Sequence, residues 1–354
     1  MDILLMGEFS GFYKNLKNGL EILGHEVTLF GNGDSWKKID GATNVLFQKD
    51  DSFDYLKKLK EYIITPYLNK SLYTGYDIVQ WINPVLFTKY INLIMFDYIK
   101  NNNNRIYLSA CGSDYYHCKA YIDGKLKYYA HDESPDIINQ YTKKWIKYQN
   151  TQIAENVNGI IPTSYDYSAG YSSFNTLCPT LPLPLQLSNL KYKENRFSNK
   201  IVFFHGLSRE SFKGTKYIRA AMEKLKDTYP NDVEIIINGK MPYIEYLNLL
   251  QSTNVVIDQC KCYGYGMNAI IAMAMGKVVL SGIEEEAKMD LGITETPIIN
   301  IRPDIDYIYT QLEGILQNKK DLSQIGYASR KYVERYHDNI RVAQRYVDIW
   351  SQKD

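Results

Sequence analysis

The chain has 354 residues. A typical domain with a single core has about 100–200 residues, so we expect two domains. Hydrophobic residues make up 45% of the chain, which excludes wholesale disorder. The 41 basic and 40 acidic residues nearly cancel, so the net charge of +1 gives no general attraction to nucleic acid, and nucleic acid is not predicted as a partner.

Short apolar runs bounded by Gly, Asn, Asp or Pro alternate with longer helical patterns, as in strands buried on both faces of parallel sheets. In the first half the predicted strands are Ile3–Met6, Val27–Phe30, Ile78–Trp81, Ile106–Ser109 and Gly159–Pro162. In the second half they are Ile201–Phe204, Val233–Ile237, Val255–Asp258, Lys277–Leu280 and Ile298–Ile301. Predicted helices between them include Phe12–Leu23, Tyr217–Leu225 and Tyr243–Leu250, and one long amphipathic helix covers about 322–350.

A proline-rich segment, 178–185, and the polar stretch after it separate two sets of β-α-β units. We therefore predict an α/β protein with two Rossmann-like, doubly wound parallel-sheet domains that face each other across a cleft. The predicted division is 1–187 for the first domain, 188–200 for a linker, 201–325 for the second domain and 326–354 for a terminal helix.

The five cysteines are an odd number in a long chain, which does not indicate a disulfide framework. Cys260 and Cys262 are the only close pair, and no second Cys or His cluster accompanies them, so free buried thiols are expected and no metal site is predicted. The N-terminal segment has no basic leader, and no apolar run approaches the ~20 residues that span a bilayer. The expected location is the cytoplasm.

The strongest candidate for a binding loop directly follows the strand Ile201–Phe204. Gly206 allows a ligand to approach the backbone, while Arg209 and Lys213 offer a planar fork and a compact charge for phosphate oxygens. A solvated turn with two surface cations is the alternative.

A second candidate, 263–277, leads from two glycines into an Ala/Met/Ile helix, whose N–H groups and positive dipole end suit a diphosphate. The alternative is a core helix whose glycines only allow close contact.

Two loops of the first half also follow strands. Gly7–Gly11, which includes Ser10, lacks the third glycine of a dinucleotide fingerprint, so NAD is not expected as a cofactor there. Asp114 and His117 follow the fourth strand and are candidate catalytic residues, with simple turn residues as the alternative.

The second half resembles the donor domain of glycosyltransferase family 4. The matching residues are Gly206, Arg209, Lys213-Gly214, Gly264, Gly266 and Ala272–Lys277. The first half is similar to a subgroup of bacterial surface-polysaccharide glycosyltransferases in segments 7–10, 23–27, 32–36 and 75–80. Residues 330–337 fit the terminal helix that crosses back to the first domain in such enzymes.

This resemblance implies the GT-B fold and a metal-independent, commonly retaining transferase for a nucleotide-sugar donor. Its acceptor is a glycan or lipid-linked glycan of a capsule, lipopolysaccharide or similar polymer. Arg209 and Lys213 would stabilise the departing diphosphate, and the loop 238–242 would lie against the nucleotide base. The predicted donor-binding residues are Gly7, Ser10, Gly206, Asn238, Gly239, Met241, Asp258, Tyr263, Gly264, Tyr265, Gly266, Met267 and Asn268.

The sequence departs from the family at two positions where glutamates usually stand, which here are Tyr263 and Ile271. An Ile cannot accept a hydrogen bond from ribose, so a lost bond to a charged group would cost about 1.5–3 kcal/mol. Asp258 is a hypothetical replacement for the missing acceptor. The departure also motivates a rival hypothesis, a non-catalytic nucleotide-sugar or glycan binding module.

Peripheral membrane contact is a further hypothesis, because surface-polymer enzymes often use lipid-linked acceptors. Phe53, Leu56, Leu59 and Ile63 recur at helical spacing beside Lys57, Lys58 and Lys60. The segment 141–148 is also basic and aromatic. Ordinary amphipathic surface helices are the alternative.

Overall fold

The computed structural model describes residues 1–31, 59–239 and 241–352. The first sheet is parallel, with the strand order β2-β1-β3-β4-β5. Its strands are β1 (Asp2–Met6), β2 (Glu26–Phe30), β3 (Ile78–Ile82), β4 (Arg105–Ala110) and β5 (Gly159–Pro162). The helices around it are α1 (Phe12–Ile22), α2 (Thr65–Leu68), α3 (Asn92–Asn101), α4 (Tyr115–Ile122), α5 (Pro135–Tyr141), α6 (Lys144–Glu155) and α7 (Tyr165–Tyr171).

Alternate residues of β1 face the two sides of this sheet. Leu4 and Met6 join the core under α3 and α6, whereas Ile3 and Leu5 join the core under α1. Strands that are buried on both faces carry apolar side chains on both sides. Their sequences are therefore continuous apolar runs, without a periodic alternation of apolar and polar residues.

The second sheet is also parallel, with the strand order β10-β9-β8-β6-β7. Its strands are β6 (Ile201–Leu207), β7 (Val233–Gly239), β8 (Val255–Ile257), β9 (Val278–Ser281) and β10 (Ile299–Asn300). The helices that follow are α8 (Glu210–Lys213), α9 (Thr215–Thr228), α10 (Tyr243–Ser252), α11 (Met267–Ala274), α12 (Glu285–Leu291), α13 (Ile305–Gln317), α14 (Leu322–Tyr336) and α15 (Asn339–Ser351). The ten predicted strands and the predicted pair of doubly wound domains are confirmed.

The single helix predicted over about 322–350 is wrong, because the chain breaks at His337 and Asp338 into α14 and α15. Asp338 caps α15 by accepting a hydrogen bond from Arg341 N at 3.1 Å, and its backbone pairs with Leu185. The amphipathic pattern of the sequence continues through this position, but the Asp338 cap and the pairing with Leu185 separate the two helices.

Helix α15 crosses to the first domain, where it packs on α1. A Cβ at Gly19 would lie 2.2 Å from Asn339 O, so this glycine allows the two helices to touch. Near the end of α15, Trp350 Nε1 donates to Gln80 Oε1 of β3 at 3.0 Å. The domain limits at 187, 200 and 325 remain proposals.

A mixed apolar cluster joins the domains. Ala120 and Leu126 of the first domain pack in it with Tyr263, Ile271 and other residues near α11. No helix among the described residues is long and apolar enough to cross a membrane.

Candidate active site at the interdomain cleft

The loop after β6 is anchored by a buried histidine. His205 Nδ1 lies 2.8 Å from Ile257 O, and its Nε2 lies 2.8 Å from Thr215 Oγ1. A carbonyl can only accept, so Nδ1 carries the proton and Nε2 accepts from the Thr215 hydroxyl. Burial, with the nearby Lys213 charge, lowers the pKa of His205 to about 4, so a neutral ring fixes the start of α9.

Arg209, at the end of this loop, is exposed and reaches toward the first domain. Its guanidinium lies over the Phe212 ring, 4.0 Å from the centroid. Burial lowers the pKa of His131 in the first domain, and the Arg209 charge lowers it further. Arg209 therefore presents an available planar cation to the cleft between the sheets.

Lys213 differs from Arg209 because it is buried and already paired. Its Nζ lies 2.8 Å from Asp258 Oδ1, at the end of β8. The other Asp258 oxygen accepts from Gly266 N at 3.3 Å. Asp258 could replace a ribose acceptor only if it shared its oxygens with these partners, and Lys213 could reach a diphosphate only by sharing or leaving Asp258.

The glycine loop before α11 is held by a carboxylate of the first domain, which sequence reasoning did not identify. Asp166 Oδ1 accepts from Tyr263 N at 2.9 Å, and its Oδ2 accepts from Gly264 N at 3.2 Å. A Cβ at Gly264 would lie 3.2 Å from Ser164 Cβ, so a glycine allows this approach. Two carboxylates, Asp166 and Asp258, thus occupy N–H groups that the sequence assigned to a donor diphosphate.

Tyr263 and Tyr265 contact protein groups rather than open space. Tyr263 Oη accepts from Lys127 N at 2.8 Å, and its ring lies 5.0 Å from that of Tyr128. Tyr265 Oη lies 2.9 Å from His337 Nε2 at the junction of α14 and α15. Both side chains are buried in contacts between the second domain and the remainder of the chain.

The remaining predicted donor residues of the second domain converge at one sheet edge. In the β6–β7 register, Gly206 lies opposite Asn238 and Leu207 opposite Gly239. A Cβ on Gly206 would lie 4.0 Å from Asn268 Nδ2 in the first turn of α11, next to Met267. Backbone, amide and helix N-terminal groups therefore surround Gly206, as an anionic ligand requires.

The predicted base-binding loop continues from this edge. A Cβ at Gly239 would lie 1.8 Å from Leu207 O, which makes a side chain impossible there without a shift. Asn238 Oδ1 accepts from Gly239 N at 2.7 Å, and half-buried Met241 follows. Lys240 of this loop lies outside the described residues, as do the resembling segment 32–36 and the residues Phe53, Leu56, Lys57 and Lys58.

Across the cleft, the first domain presents two residues with left-handed backbone. Ser10 has a φ of 56° and Asn83 a φ of 60°, and both follow strands of the first sheet. Asn83 Nδ2 donates to Cys111 O at 3.1 Å and so holds the loop after β4. Non-glycine residues in this conformation concentrate at functional sites. Asn83 was missed, although the pair Asn83-Pro84 is a turn signal.

Gly7 is required sterically at the end of β1. It has a φ of 96°, and a Cβ there would lie 2.0 Å from Ile82 Cγ2. The glycine lets β1 end against β3 and brings Ser10 to the carboxyl edge of the sheet.

Asp114 and His117 are buried beneath this edge. Asp114 caps α4 by accepting from His117 N at 2.7 Å, and its second oxygen accepts from Tyr171 Oη at 2.7 Å. Burial raises the pKa of Asp114 to about 6 and lowers that of His117 to about 3. The Asp114 carboxyl therefore positions its loop, and the His117 imidazole is neutral and packed in the core. A catalytic role for either residue remains a prediction.

His131 is a partly buried imidazole that faces Arg209 from the first domain, and sequence reasoning did not select it. Its Nε2 lies 3.0 Å from Ser113 Oγ, and its ring is 5.5 Å from that of Phe212. No local motif surrounds it, so only the fold brings it to the cleft.

Next to His131, two carboxylates of the first domain hold cations of the second. Lys261 Nζ lies 2.6 Å from Asp132 Oδ1 and 3.2 Å from Glu133 Oε2. Glu133 also pairs with Lys216 at 2.7 Å. Although partial burial opposes it, hydrogen bonds from Lys216, Tyr217 and Lys261 lower the pKa of Glu133 to about 2. These bonds join the two domains beside the cleft.

No group of three or more His, Cys, Asp or Glu side chains within residues 1–31, 59–239 and 241–352 is arranged to hold a metal ion. Of the two cations in the loop after β6, Arg209 is exposed, whereas Lys213 is buried and paired with Asp258.

Comparison with known proteins identifies the architecture. No protein-family model and no curated protein sequence matches the chain. Several solved structures match over nearly the whole length of both chains. Sucrose-phosphate synthase from Thermosynechococcus elongatus has a TM-score of 0.64 at 15% identity, covering 99% of this chain and 98% of its own. HepE from Anabaena, in complex with UDP-glucose, has a TM-score of 0.59 at 11% identity, with 99% of both chains covered.

The chain has the GT-B fold. A putative UDP-N-acetylglucosamine 2-epimerase from Listeria monocytogenes also matches, with a TM-score of 0.52 at 11% identity over 100% of this chain and 97% of its own. One fold therefore carries different activities in these proteins, and the reaction of this chain must be argued from its site.

Proposed function

We propose that the protein is a glycosyltransferase that moves a sugar, of the hexosyl class, from a nucleotide-sugar donor to a glycan or lipid-linked glycan. The observation that carries this proposal is the convergence of Gly206, Asn238 and the first turn of α11 at one sheet edge, with exposed Arg209 facing the other domain. Solved structures of this fold in complex with UDP or UDP-glucose support the choice of donor.

In the proposed reaction the bond between the anomeric carbon and the diphosphate oxygen breaks, and the electron pair leaves with the diphosphate. Arg209 stabilises that charge with two N–H donors, which is electrostatic leaving-group stabilisation without a metal ion. Lys213 contributes when the diphosphate replaces or shares Asp258. An acceptor hydroxyl then bonds to the anomeric carbon and gives its proton to an oxygen of the departing diphosphate, and closure between the domains limits hydrolysis.

The proposal has three further parts, which are retention of configuration, independence of metal ions and a role in polymer synthesis. The polymer is a capsule, lipopolysaccharide or similar polymer, made at the cytoplasmic face of a membrane. These three parts rest on the sequence resemblance. Asp114 and His117 stay in it as candidate catalytic residues, with His131 added because it faces Arg209. Transfer that persists in EDTA, with an unchanged anomeric configuration by NMR, is the expected result. Loss of activity on chelation contradicts the metal-free chemistry.

The alternative is a non-catalytic nucleotide-sugar or glycan binding module. Two observations favour it. Asp166 and Asp258 already accept hydrogen bonds from N–H groups of the glycine loop. Ile271 is buried and has no polar atom that could accept a hydrogen bond from ribose. Donor turnover separates the two functions. Release of free nucleotide, with or without an acceptor, supports the enzyme, whereas binding without any release supports the module.

A further inference from the structure

One helical layer over the first sheet exposes large apolar side chains. We call residues 60–73, 85–101 and 143–155 the basic aromatic surface. Its most exposed members near the cleft are Tyr90 (66%), Tyr148 (60%) and Ile94 (54%). The other exposed apolar residues of this surface are Ile64, Tyr67, Leu68, Leu72, Val85 and Trp145. Soluble proteins rarely expose a large contiguous apolar area without a function for it.

Contacts between the three segments make this surface continuous. Lys70 Nζ lies 4.5 Å from the Tyr67 ring and 4.6 Å from the Tyr98 ring of α3. On the other side of α3, Gln149 Nε2 of α6 donates to Lys89 O at 2.7 Å. Helix α3 therefore lies between the segment 60–73 and α6.

The charge of the surface is strongly positive. Its three segments contain seven lysines, which are Lys60, Lys70, Lys89, Lys100, Lys143, Lys144 and Lys147. They contain three carboxylates, which are Glu61, Asp97 and Glu155. The whole chain has a net charge of only +1, so basic residues are concentrated here.

The start of α6 is unfavourable for the helix itself. Lys143 is its N-cap residue, Lys144 and Lys147 lie in its first turn, and no acidic residue stands there. Cations oppose the positive end of the helix dipole, so the charges of these lysines do not stabilise the start of α6. Lys147 Nζ also lies 5.8 Å from the centroid of the Tyr115 ring. An external anionic partner would explain their position.

We propose that the basic aromatic surface docks the protein on an anionic lipid bilayer. Tyr and Trp side chains suit the interface between headgroups and acyl chains, and lysines beside them suit anionic headgroups. Protein–protein interfaces are depleted in Lys, which argues against a different protein as the partner. A second copy of this surface would repel the first, because both are positively charged. Lipid is therefore favoured over both of these partners.

The placement also indicates the acceptor. Helices α3 and α6 connect parallel strands, so both begin at the carboxyl edge of the first sheet, where Asn83 and Ser113 lie. The exposed Tyr90, Ile94 and Tyr148 therefore border the cleft. This inference rests on the proposed transferase and selects a lipid-linked acceptor, whose sugar reaches the cleft from the bilayer surface.

Vesicle flotation of the full chain tests the proposal, with phosphatidylcholine vesicles that contain or lack phosphatidylglycerol. We expect binding only to the anionic vesicles. Lys144→Gln/Lys147→Gln should weaken it roughly 25-fold, at about five-fold per lysine. Tyr90→Ser/Ile94→Ser should also weaken it. Matched controls in the second domain, Lys226→Gln/Lys320→Gln and Met289→Ser/Ile244→Ser, should bind as the wild type does.

Three results would overturn the proposal. They are absence of binding to anionic vesicles, equal binding to both vesicle types, and an oligomer in solution that Tyr90→Ser/Ile94→Ser dissociates. The thermal shift caused by nucleotide-sugar is measured on the same variants and should not change in any of them. A shift without vesicle binding refutes the membrane surface alone, whereas absence of the shift refutes the proposed function.

Discussion

Lys213 and Asp258 form a buried ion pair at the carboxyl edge of the second sheet, with Nζ 2.8 Å from Oδ1 and both side chains almost inaccessible to solvent. The pair joins the end of α8 to the end of β8. A lysine that the sequence assigns to the donor diphosphate is thus neutralised inside the protein, while Arg209 is exposed over Phe212. The two cations of this loop therefore have different structural roles before a donor binds.

Removing one partner of the buried pair should destabilise the fold. Lys213→Met leaves Asp258 charged and unpaired, and we expect the free energy of unfolding to fall by about 3–5 kcal/mol. The double variant Lys213→Met/Asp258→Leu removes both charges and should recover most of that loss. Urea denaturation of the single and double variants measures this. A single variant as stable as the wild type contradicts the buried pair.

Asp166 should stabilise the contact between the first domain and the glycine loop. Asp166→Ala leaves the N–H groups of Tyr263 and Gly264 without their acceptor, at a cost of about 2–3 kcal/mol in unfolding free energy. Asp166→Asn retains one acceptor oxygen and should lose less. Ser164→Ala is the control, because Ser164 donates to Asp166 without contacting the loop N–H groups. Equal stability of Asp166→Ala and Ser164→Ala would show that the contact is not formed.

His337 should make the fold sensitive to acid. Its Nδ1 donates to Leu183 O, so its Nε2 accepts from Tyr265 Oη, and burial lowers its pKa to about 4. The unfolded imidazole has a pKa near 6.5 and takes up a proton first as the pH falls, so the folded state loses stability between pH 6.5 and 4. At pH 5 this loss amounts to about 2 kcal/mol.

The variant His337→Gln should reduce the difference in unfolding free energy between pH 7 and pH 5 by that amount. Comparison of variants is needed, because the raised pKa of Asp114 acts with the opposite sign between pH 6 and 4. His25→Gln is the control, since His25 is only partly buried, and should retain most of the acid effect. An unchanged pH dependence in His337→Gln would contradict the neutral buried ring.

Asp114→Asn separates a positioning role from a catalytic one. An amide oxygen can still accept from His117 N and cap α4, so we expect the fold and donor turnover at pH 7 to persist. Asp114→Ala removes the cap and should lower stability by about 1 kcal/mol. A loss of turnover in Asp114→Asn with an unchanged melting temperature would instead assign the carboxylate a direct part in the chemistry.

The strands and the two-domain plan could be predicted because buried parallel strands leave continuous apolar runs such as Ile3–Met6 and Val255–Ile257. The convergence of Gly206 with Asn238 follows from parallel register, which the strand positions already imply. Other contacts join residues that lie far apart in the chain. Asp166 contacts Tyr263 N, and His131 faces Arg209 across the cleft. No local pattern records such pairs. The break at His337 was missed for the same reason, since Leu185 helps to cause it.

The most direct test of the proposed function is thermal stabilisation by nucleotide-sugars of the UDP, GDP, CMP and dTDP classes. Arg209→Ala is the test variant, because Lys213 variants also lose a buried pair. Arg335→Ala is the matched control, an exposed arginine that stacks on Tyr336 at 5.1 Å. At 100 times Kd the bound donor should add about 2.7 kcal/mol of stability to the wild type and the control. A shift with one nucleotide class that Arg209→Ala abolishes is the predicted result, and no shift with any donor, or an equal shift in Arg209→Ala, would contradict it.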